Sequence, residues 1–425
     1  DAPISPLDRG FAYGDGGLEP IAFTGEGNRF AVKSTKDDSI PGLFLYDPDS
    51  GKKELIYRHE FVDFEPIWKF NHNLKFNELV GVAVEPGRAE RIYFDQEKSA
   101  LDASLDALFP NDYVKVTSSS KDKRNFIVRV TSDSNPGDFY LFDKESNSLS
   151  YVASRRPWIH SEQMTHKTPI ELKARDGLTL RGYLTLPKGS DGKNLPLVIH
   201  PHGGPHGPRD SWFFSNDVQL MASRGYAVLQ INFRGSGGYG IEFENSGHGE
   251  WGGIMQDDLT DATQWAIDTG VADPKRICIY GASYGGYAAL MGVVKEPDLY
   301  QCAVGHVGVY DLEFMKDTGN VAERMLGGDV YMDKVMGTDP DALKKISPAR
   351  NVEAIKAAVM IVHGGKDLQA HYKNAYILRE AMDKAGKPYE WLFYPREGHG
   401  FQNEDNRLDF RKKLVAFLDE HIGEN

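Results

Sequence analysis

The 425-residue sequence predicts an α/β fold, a mostly parallel sheet with helices on both faces, preceded by an all-β region that reads as part of a β-propeller. Three observations carry this. A strand motif ending in aspartate recurs at a constant interval in the first 160 residues. From about residue 165, apolar strands alternate with helical stretches. The pentapeptide Gly281-Ala282-Ser283-Tyr284-Gly285 then sits at one of the strand-to-helix junctions.

In residues 1–160, short alternating runs such as "RFAVKS", "LVGVAVE" and "NFIVRV" are separated by Asp, Gly, Asn, Pro and Ser clusters, the pattern of half-buried strands and turns. "FLYD" begins at 44, "IYFD" at 92 and "YLFD" at 140, so the interval is 48 both times. The polar stretches that follow, "PDSGK", "QEKSA" and "KESNS", read as turns. A period of about 40–50 residues with several strands per unit is the mark of propeller blades. Three repeats make about three blades, whereas closed propellers have about 4 to 8. The chain opens at Asp1 with "APISPLDRG", and the expectation is therefore that a propeller segment ahead of it is missing, or that a partner or second copy covers the open edges.

Residues 161–425 follow the other pattern, with "SRRPWIHSEQMTHKTP" (154–169) as the linker. "PIELKARDGLTLRGYLTLP" is a hairpin around Asp176-Gly177. The strands are then "LPLVIH", "YAVLQINF", "ICIY", "CAVGHV", "VMIVHG" and "EWLFY", with helical spacing in "MQDDLTDATQWAID", "HYKNAYILREAMDKAG" and "RLDFRKKLVAFLDEHI". Strands buried on both faces lose the apolar–polar alternation, as these have.

The pentapeptide matches the G-x-S-x-G nucleophile elbow of the α/β-hydrolase fold, in the strand–turn–helix setting that gives it meaning. Glycines flank Ser283 because side chains there would collide with neighbouring elements. A serine hydroxyl is a poor nucleophile until a base takes its proton, and that base needs an orienting carboxylate. In this fold the order is Ser, acid, His. "IVHGGKD" places Asp367 in the loop after a core strand, and "WLFYPREGHGF" places His399 in a glycine-flanked loop before the last helix. Asp311, also after a core strand, is the runner-up acid. His371 and His421 lie in helical patterns as solvated or capping residues, and His306 reads as packed in its strand. For the developing oxyanion, the Tyr284 amide supplies one donor, and Gly204 in "HPHGGPHG" a second. His200, His202 and His206 raise a metal reading, but no carboxylate or cysteine cluster accompanies them. Neither metal nor cofactor is expected.

A formal charge of −13 argues against binding nucleic acid or an anionic membrane, and no apolar run approaches the ~18 residues that span a bilayer. The two cysteines, Cys278 and Cys302, fall in core strands and read as buried free thiols. The compartment stays open between cytoplasmic and periplasmic or secreted.

Taken together, "HGGP" (202–205), "NFRGSGGYG" (232–240), "GASYGGYAAL" (281–290), "HGGKD" (363–367) and "EGHGF" (397–401) resemble the prolyl oligopeptidase family of serine peptidases. The motifs are nearest to its acylaminoacyl-peptidase-like and bacterial dipeptidyl-aminopeptidase-like branch. The resemblance covers most of 165–425; the upstream part matches in kind only. It implies a peptidase capped by a propeller that admits short peptides, with Ser283, Asp367 and His399 as the triad. Prolyl oligopeptidases and dipeptidyl peptidases place a tyrosine hydroxyl in the oxyanion hole. Here His202 holds that position, which leaves the second donor to the Gly204 amide. Dipeptidyl peptidases also hold the substrate amino terminus with adjacent glutamates, and this chain has no Glu-Glu pair. The resemblance places His202, Val307, Tyr310 and Phe314 at the substrate pocket, with core packing the competing reading for the last three. The leading functional reading is a serine peptidase of oligopeptidase or aminoacyl/acylaminoacyl exopeptidase type. An esterase or lipase of the same fold is the alternative, and a non-catalytic binding module the third reading; the ordered Ser, Asp and His argue against the last.

Overall fold

The computed structural model describes residues 17–24, 27–71, 76–319 and 328–423. The start of the chain at Asp1 lies outside them. The described residues fall into two compact units: one runs up to Met164 and takes in Ser211–Ser215 and Gly237–Asn245, and the other is the remainder from Thr165.

Among the described residues, the first unit holds three antiparallel sheets. Strands β1 (Leu18–Phe23), β2 (Phe30–Ser34), β3 (Gly42–Tyr46) and β4 (Lys53–Tyr57) form one, in that order. Strands β5 (Phe64–Asn71), β6 (Phe76–Val84) and β7 (Glu90–Tyr93) form the second. The third is β8 (Tyr113–Ser119), β9 (Asn125–Thr131), β10 (Asp138–Asp143) and β11 (Ser148–Ser154). The 48-residue interval now has a structural meaning, because its copies fall at β3, β7 and β10, the third strand of each sheet.

The aspartate that ends each copy accepts backbone N–H groups just downstream. Asp47 takes the amides of Asp49 and Ser50, and Asp143 those of Glu145 and Ser146, closing tight turns into the fourth strands. Asp95 instead accepts from Lys98 N at 2.7 Å and caps a helix, Gln96–Asp106. The turn read at "QEKSA" is thus corrected. "QEKSALDASLD" contains no glycine, and its Leu101 and Leu105 lie four apart on one helical face, so the capped turn propagates where the fourth strand would run. Below this helix the Arg91 guanidinium, 8% exposed, pairs with Asp102 at 3.2 Å and Asp106 at 2.5 Å and lies over the Tyr113 ring.

The second unit is built on an eight-stranded sheet. Its strands are β12 (Lys167–Lys173), β13 (Thr179–Thr185), β14 (Leu195–Ile199), β15 (Ala227–Asn232), β16 (Ala272–Ala282), β17 (Cys302–His306), β18 (Ala358–Gly364) and β19 (Glu390–Tyr394), in the spatial order β12-β13-β15-β14-β16-β17-β18-β19. The hairpin β12–β13 and the β13–β15 pair are antiparallel; every other pair is parallel. Lys167–Pro169, read as linker, is already strand. On one face Val198, Cys278, Tyr280, Val304, Met360 and Val362 pack with Phe410, Leu414, Phe417 and Leu418 of the last helix, Glu404–Ile422. The opposite face carries Ile277, Ile279, Ala303 and Ile361, all inaccessible to solvent. Burial on both faces accounts for the apolar runs in the sequence.

The free-thiol expectation is overturned, because Cys278 and Cys302 form a disulfide. They are direct partners in the parallel β16–β17 register, with Cα atoms 4.6 Å apart and both side chains on the same face. Core position in separate strands is visible in sequence; which strand neighbours which, and in what register, is not.

Candidate active site

Ser283 directly follows β16 with φ 60° and ψ −124°, a conformation that costs energy for a residue with a Cβ. The surroundings enforce it. A Cβ on Gly281 would sit far inside contact distance of Gly285 O, and one on Gly285 inside that of Pro201 O, so neither position admits a side chain. The Ser283 N–H donates to His306 O at 2.9 Å, and Ser283 O accepts from Gly286 and Tyr287 to start the helix Tyr284–Lys295.

Asp367 follows β18 and is fully buried. Its Oδ1 accepts the Gln369 and Ala370 amides at 2.9 and 3.0 Å. Its Oδ2 lies 2.8 Å from His399 Nδ1, and His399 Nε2 lies 2.9 Å from Ser283 Oγ. The three residues, 84 and 32 positions apart in sequence, therefore form one hydrogen-bonded line. Burial alone would raise the Asp367 carboxyl, but hydrogen bonds from His363 and His399 outweigh it and bring the group down to about 2. His363 was not singled out by the sequence reading. Fully buried, it places Nε2 3.4 Å from Asp367 Oδ2 and 2.9 Å from Ala370 O, behind the carboxylate. Its only sequence signal is its place at the end of a core strand, four residues before the acid.

The runner-up carboxylate is occupied elsewhere. Asp311 caps the helix Leu312–Lys316 through Phe314 N and pairs with Arg350 at 2.6 Å. His371 accepts Lys373 N at the entry of the helix Lys373–Ala385, His421 packs on Phe417, and the His306 ring lies between Phe401 and Phe410.

The first turn of a helix leaves its N–H groups without intrahelical partners, so the Tyr284 amide is available beside Ser283. Across from it, Gly203 packs on Ser283: a Cβ there would lie 3.2 Å from the serine Cβ. Gly204 adopts φ +125°, which glycine alone takes readily. His202 braces this loop. Its ring stacks on Phe233 at 4.4 Å, Nδ1 lies 2.8 Å from Gly203 O, and Nε2 lies 2.7 Å from Ser236 Oγ. Desolvation pushes the imidazole down to about 4, so it stays neutral near neutral pH. His200 is bound to Tyr280 O, and the His206 ring meets that of His248. Among the described residues, no three His, Cys, Asp or Glu side chains are grouped to hold a metal ion.

Of the residues that the resemblance places at a substrate pocket, Val307 lies in the hydrophobic core and Tyr310 is fully buried. Phe314 is half-buried, edge-on to the His371 ring at 5.8 Å. Asn374, also missed in sequence, is buried and accepts the Tyr310 and Asp311 amides on its Oδ1.

A model of the prolyl oligopeptidase family matches residues 212–425, half of the chain. The chain belongs to that family. It is 33% identical over 417 residues to dipeptidyl aminopeptidase BIII of Pseudoxanthomonas mexicana, an alignment that covers 95% of this chain and 59% of the relative. In fold it is similar to a puromycin-hydrolysing peptidase of Mycobacterium tuberculosis, with a TM-score of 0.76 at 20% identity over 93% of this chain and 60% of that one. It is likewise similar to the acylaminoacyl peptidase of Pyrococcus horikoshii, with a TM-score of 0.69 at 19% identity over 96% and 64%. The chain thus spans less than two thirds of the length of these relatives. The α/β-hydrolase assignment stands with the family. No helix among the described residues is long and apolar enough to cross a membrane.

Proposed function

We propose that this chain carries the catalytic machinery of a serine peptidase acting on short peptides. The observation that supports it most is the line Ser283 Oγ–His399 Nε2, His399 Nδ1–Asp367 Oδ2, with both distances under 3 Å and the serine on a strained elbow. In this reading residues 161–425 form the catalytic domain and 1–160 about three propeller-type blades. Neutral His399 takes the Ser283 proton as Oγ attacks the scissile carbonyl carbon. Asp367 keeps the imidazole proton on Nδ1, which leaves Nε2 free to accept, and stabilises the imidazolium that forms. The oxyanion receives the Tyr284 and Gly204 amides. His399 then returns the proton to the leaving amine, and water repeats the sequence on the acyl-Ser283 ester.

Peptides as substrates rest on the family and on the names of the relatives: a dipeptidyl aminopeptidase, an acylaminoacyl peptidase and a puromycin-hydrolysing peptidase. The test is cleavage of a peptide library of graded length, with free and blocked amino termini, together with fluorophosphonate labelling. Short peptides should be cut and Ser283 labelled. Equal labelling of Ser283→Ala, or esters hydrolysed with every peptide left intact, would refute the proposal.

A further inference from the structure

The histidine of the triad sits in a loop, Gly398-His399-Gly400-Phe401, whose two glycines provide no stiffness of their own. Something else must hold the imidazole within reach of both Ser283 and Asp367. The structure places one carboxylate at the base of that loop. Glu397, 3% exposed, receives Gln402 N on Oε2 at 2.7 Å, and on Oε1 both Asn403 N at 3.1 Å and Asn406 Nδ2 at 2.6 Å. Residues on either side of His399 are thereby tied to one another, and the loop between them closes into an arch.

The same residue reaches the acid. Glu397 O accepts Lys366 N at 2.7 Å, one residue before Asp367, and its own N–H donates to Tyr394 O at the end of β19. Gly364 and Gly365 are pressed against the backbone of Pro395, Glu397 and Gly398 so closely that a Cβ on either would overlap it. At the far side Phe401 anchors the arch in the core against Tyr394 and Phe410. The carboxylate also lies at the N-terminal end of the 19-residue helix Glu404–Ile422, where a negative charge is favoured. Desolvation acts to raise the Glu397 carboxyl, but the hydrogen bonds from Asn406, Gln402 and Asn403 together outweigh it and hold the group below its ordinary range.

We propose that Glu397 is a positioning residue for His399: its side chain ties residues 402, 403 and 406 under the loop, and its backbone sets that loop against the one bearing Asp367. This rests on the reading of His399 as the base. Glu397 touches none of the reacting atoms, so its effect is on geometry, and a displacement of about 1 Å at a reacting group costs up to about a hundredfold in rate.

Glu397→Gln is the test. A carboxamide keeps the shape but offers one acceptor oxygen for three donors, and turns its own N–H groups toward an N–H. The expected result is a kcat lower by roughly tenfold to a hundredfold, with KM within about twofold, because substrate contacts are untouched. The low-field proton resonance of the His399 Nδ1–H shared with Asp367 should be lost or broadened. Asn406→Ala, which removes one donor from the same carboxylate, should lower kcat by a smaller factor and serves if the glutamine variant does not fold. Unchanged kcat and an unchanged proton resonance in the folded variants would overturn the inference, as would a lower melting temperature with kcat intact. Ser283→Ala and His399→Ala are run beside them. If those two retain hydrolysis, it is the triad reading that fails; if they are inactive while Glu397→Gln equals wild type, this inference alone fails.

Discussion

Asp367→Asn is the substitution for which the structure predicts most. The two oxygens of Asp367 face different partners. Oδ1 receives two backbone N–H groups, from Gln369 and Ala370, and Oδ2 receives His399 Nδ1–H at 2.8 Å with His363 Nε2 farther off at 3.4 Å. An asparagine must therefore keep its carbonyl oxygen on the backbone side, since the opposite flip would set its NH2 against two amide N–H donors. Its NH2 then points at His399 Nδ1 and can only donate. The imidazole responds by moving its proton to Nε2, the atom that in the proposed mechanism accepts the Ser283 proton. The fold keeps its packing, substrate contacts are unaltered, and the base is in the wrong tautomer. The expected loss is about 10⁴ in kcat, or about 5 kcal/mol of transition-state stabilisation, with KM little changed. Steady-state kinetics on a chromogenic aminoacyl or peptidyl substrate read it, with the rate of fluorophosphonate labelling as an independent measure of Ser283 nucleophilicity. Asp311→Asn is the control: it weakens a helix cap and an ion pair with Arg350, so it should lower the melting temperature more than kcat. A fall of tenfold or less for Asp367→Asn, or a larger one for Asp311→Asn, would refute the tautomer argument.

Gly285→Ala should abolish fluorophosphonate labelling, because the new methyl overlaps Pro201 O and must push the elbow away from the Gly203–Gly204 strip; wild-type labelling would show that the backbone can yield. The low Asp367 value sets an acid limit. A folded-state carboxyl depressed from about 3.8 to about 2 contributes stability that is complete above pH ~4 and lost as the pH falls toward 2. Denaturant midpoints should therefore drop over that window in the wild type and drop less steeply in Asp367→Asn; parallel curves would contradict it. Arg91→Ala leaves Asp102 buried without one of its cationic partners and should destabilise the first unit by about 3–5 kcal/mol, read as an earlier unfolding step by calorimetry; a single unshifted transition would count against the ion cluster as a stabilising contact.

Much of this molecule is legible in its sequence because the deciding physics is local. A Ser between two glycines at a strand end, an Asp closing a strand every 48 residues, and apolar runs of five or six residues each report steric or hydrogen-bonding demands satisfied within a few positions. Ser283, Asp367 and His399 were accessible for the same reason, each lying in a loop just past a strand whose end the sequence marks. Even the turn misread at "QEKSA" followed a correct local rule, since an aspartate accepting nearby amides serves a turn and a helix cap alike; the helical spacing after it chose between them.

What the tertiary structure decided depends on which strands are neighbours and in what register. Cys278 and Cys302 meet only because β16 and β17 pair with those two residues opposed. His363 stands behind Asp367, and His202 under Gly203, through contacts that no spacing in the chain announces. Glu397 reads in sequence as one more charged loop residue; folding removes its carboxylate from water and surrounds it with three N–H donors. Local pattern determines where a side chain can project, whereas desolvation and the approach of a second segment determine what it does there, and both are properties of the assembled sheet and its loops.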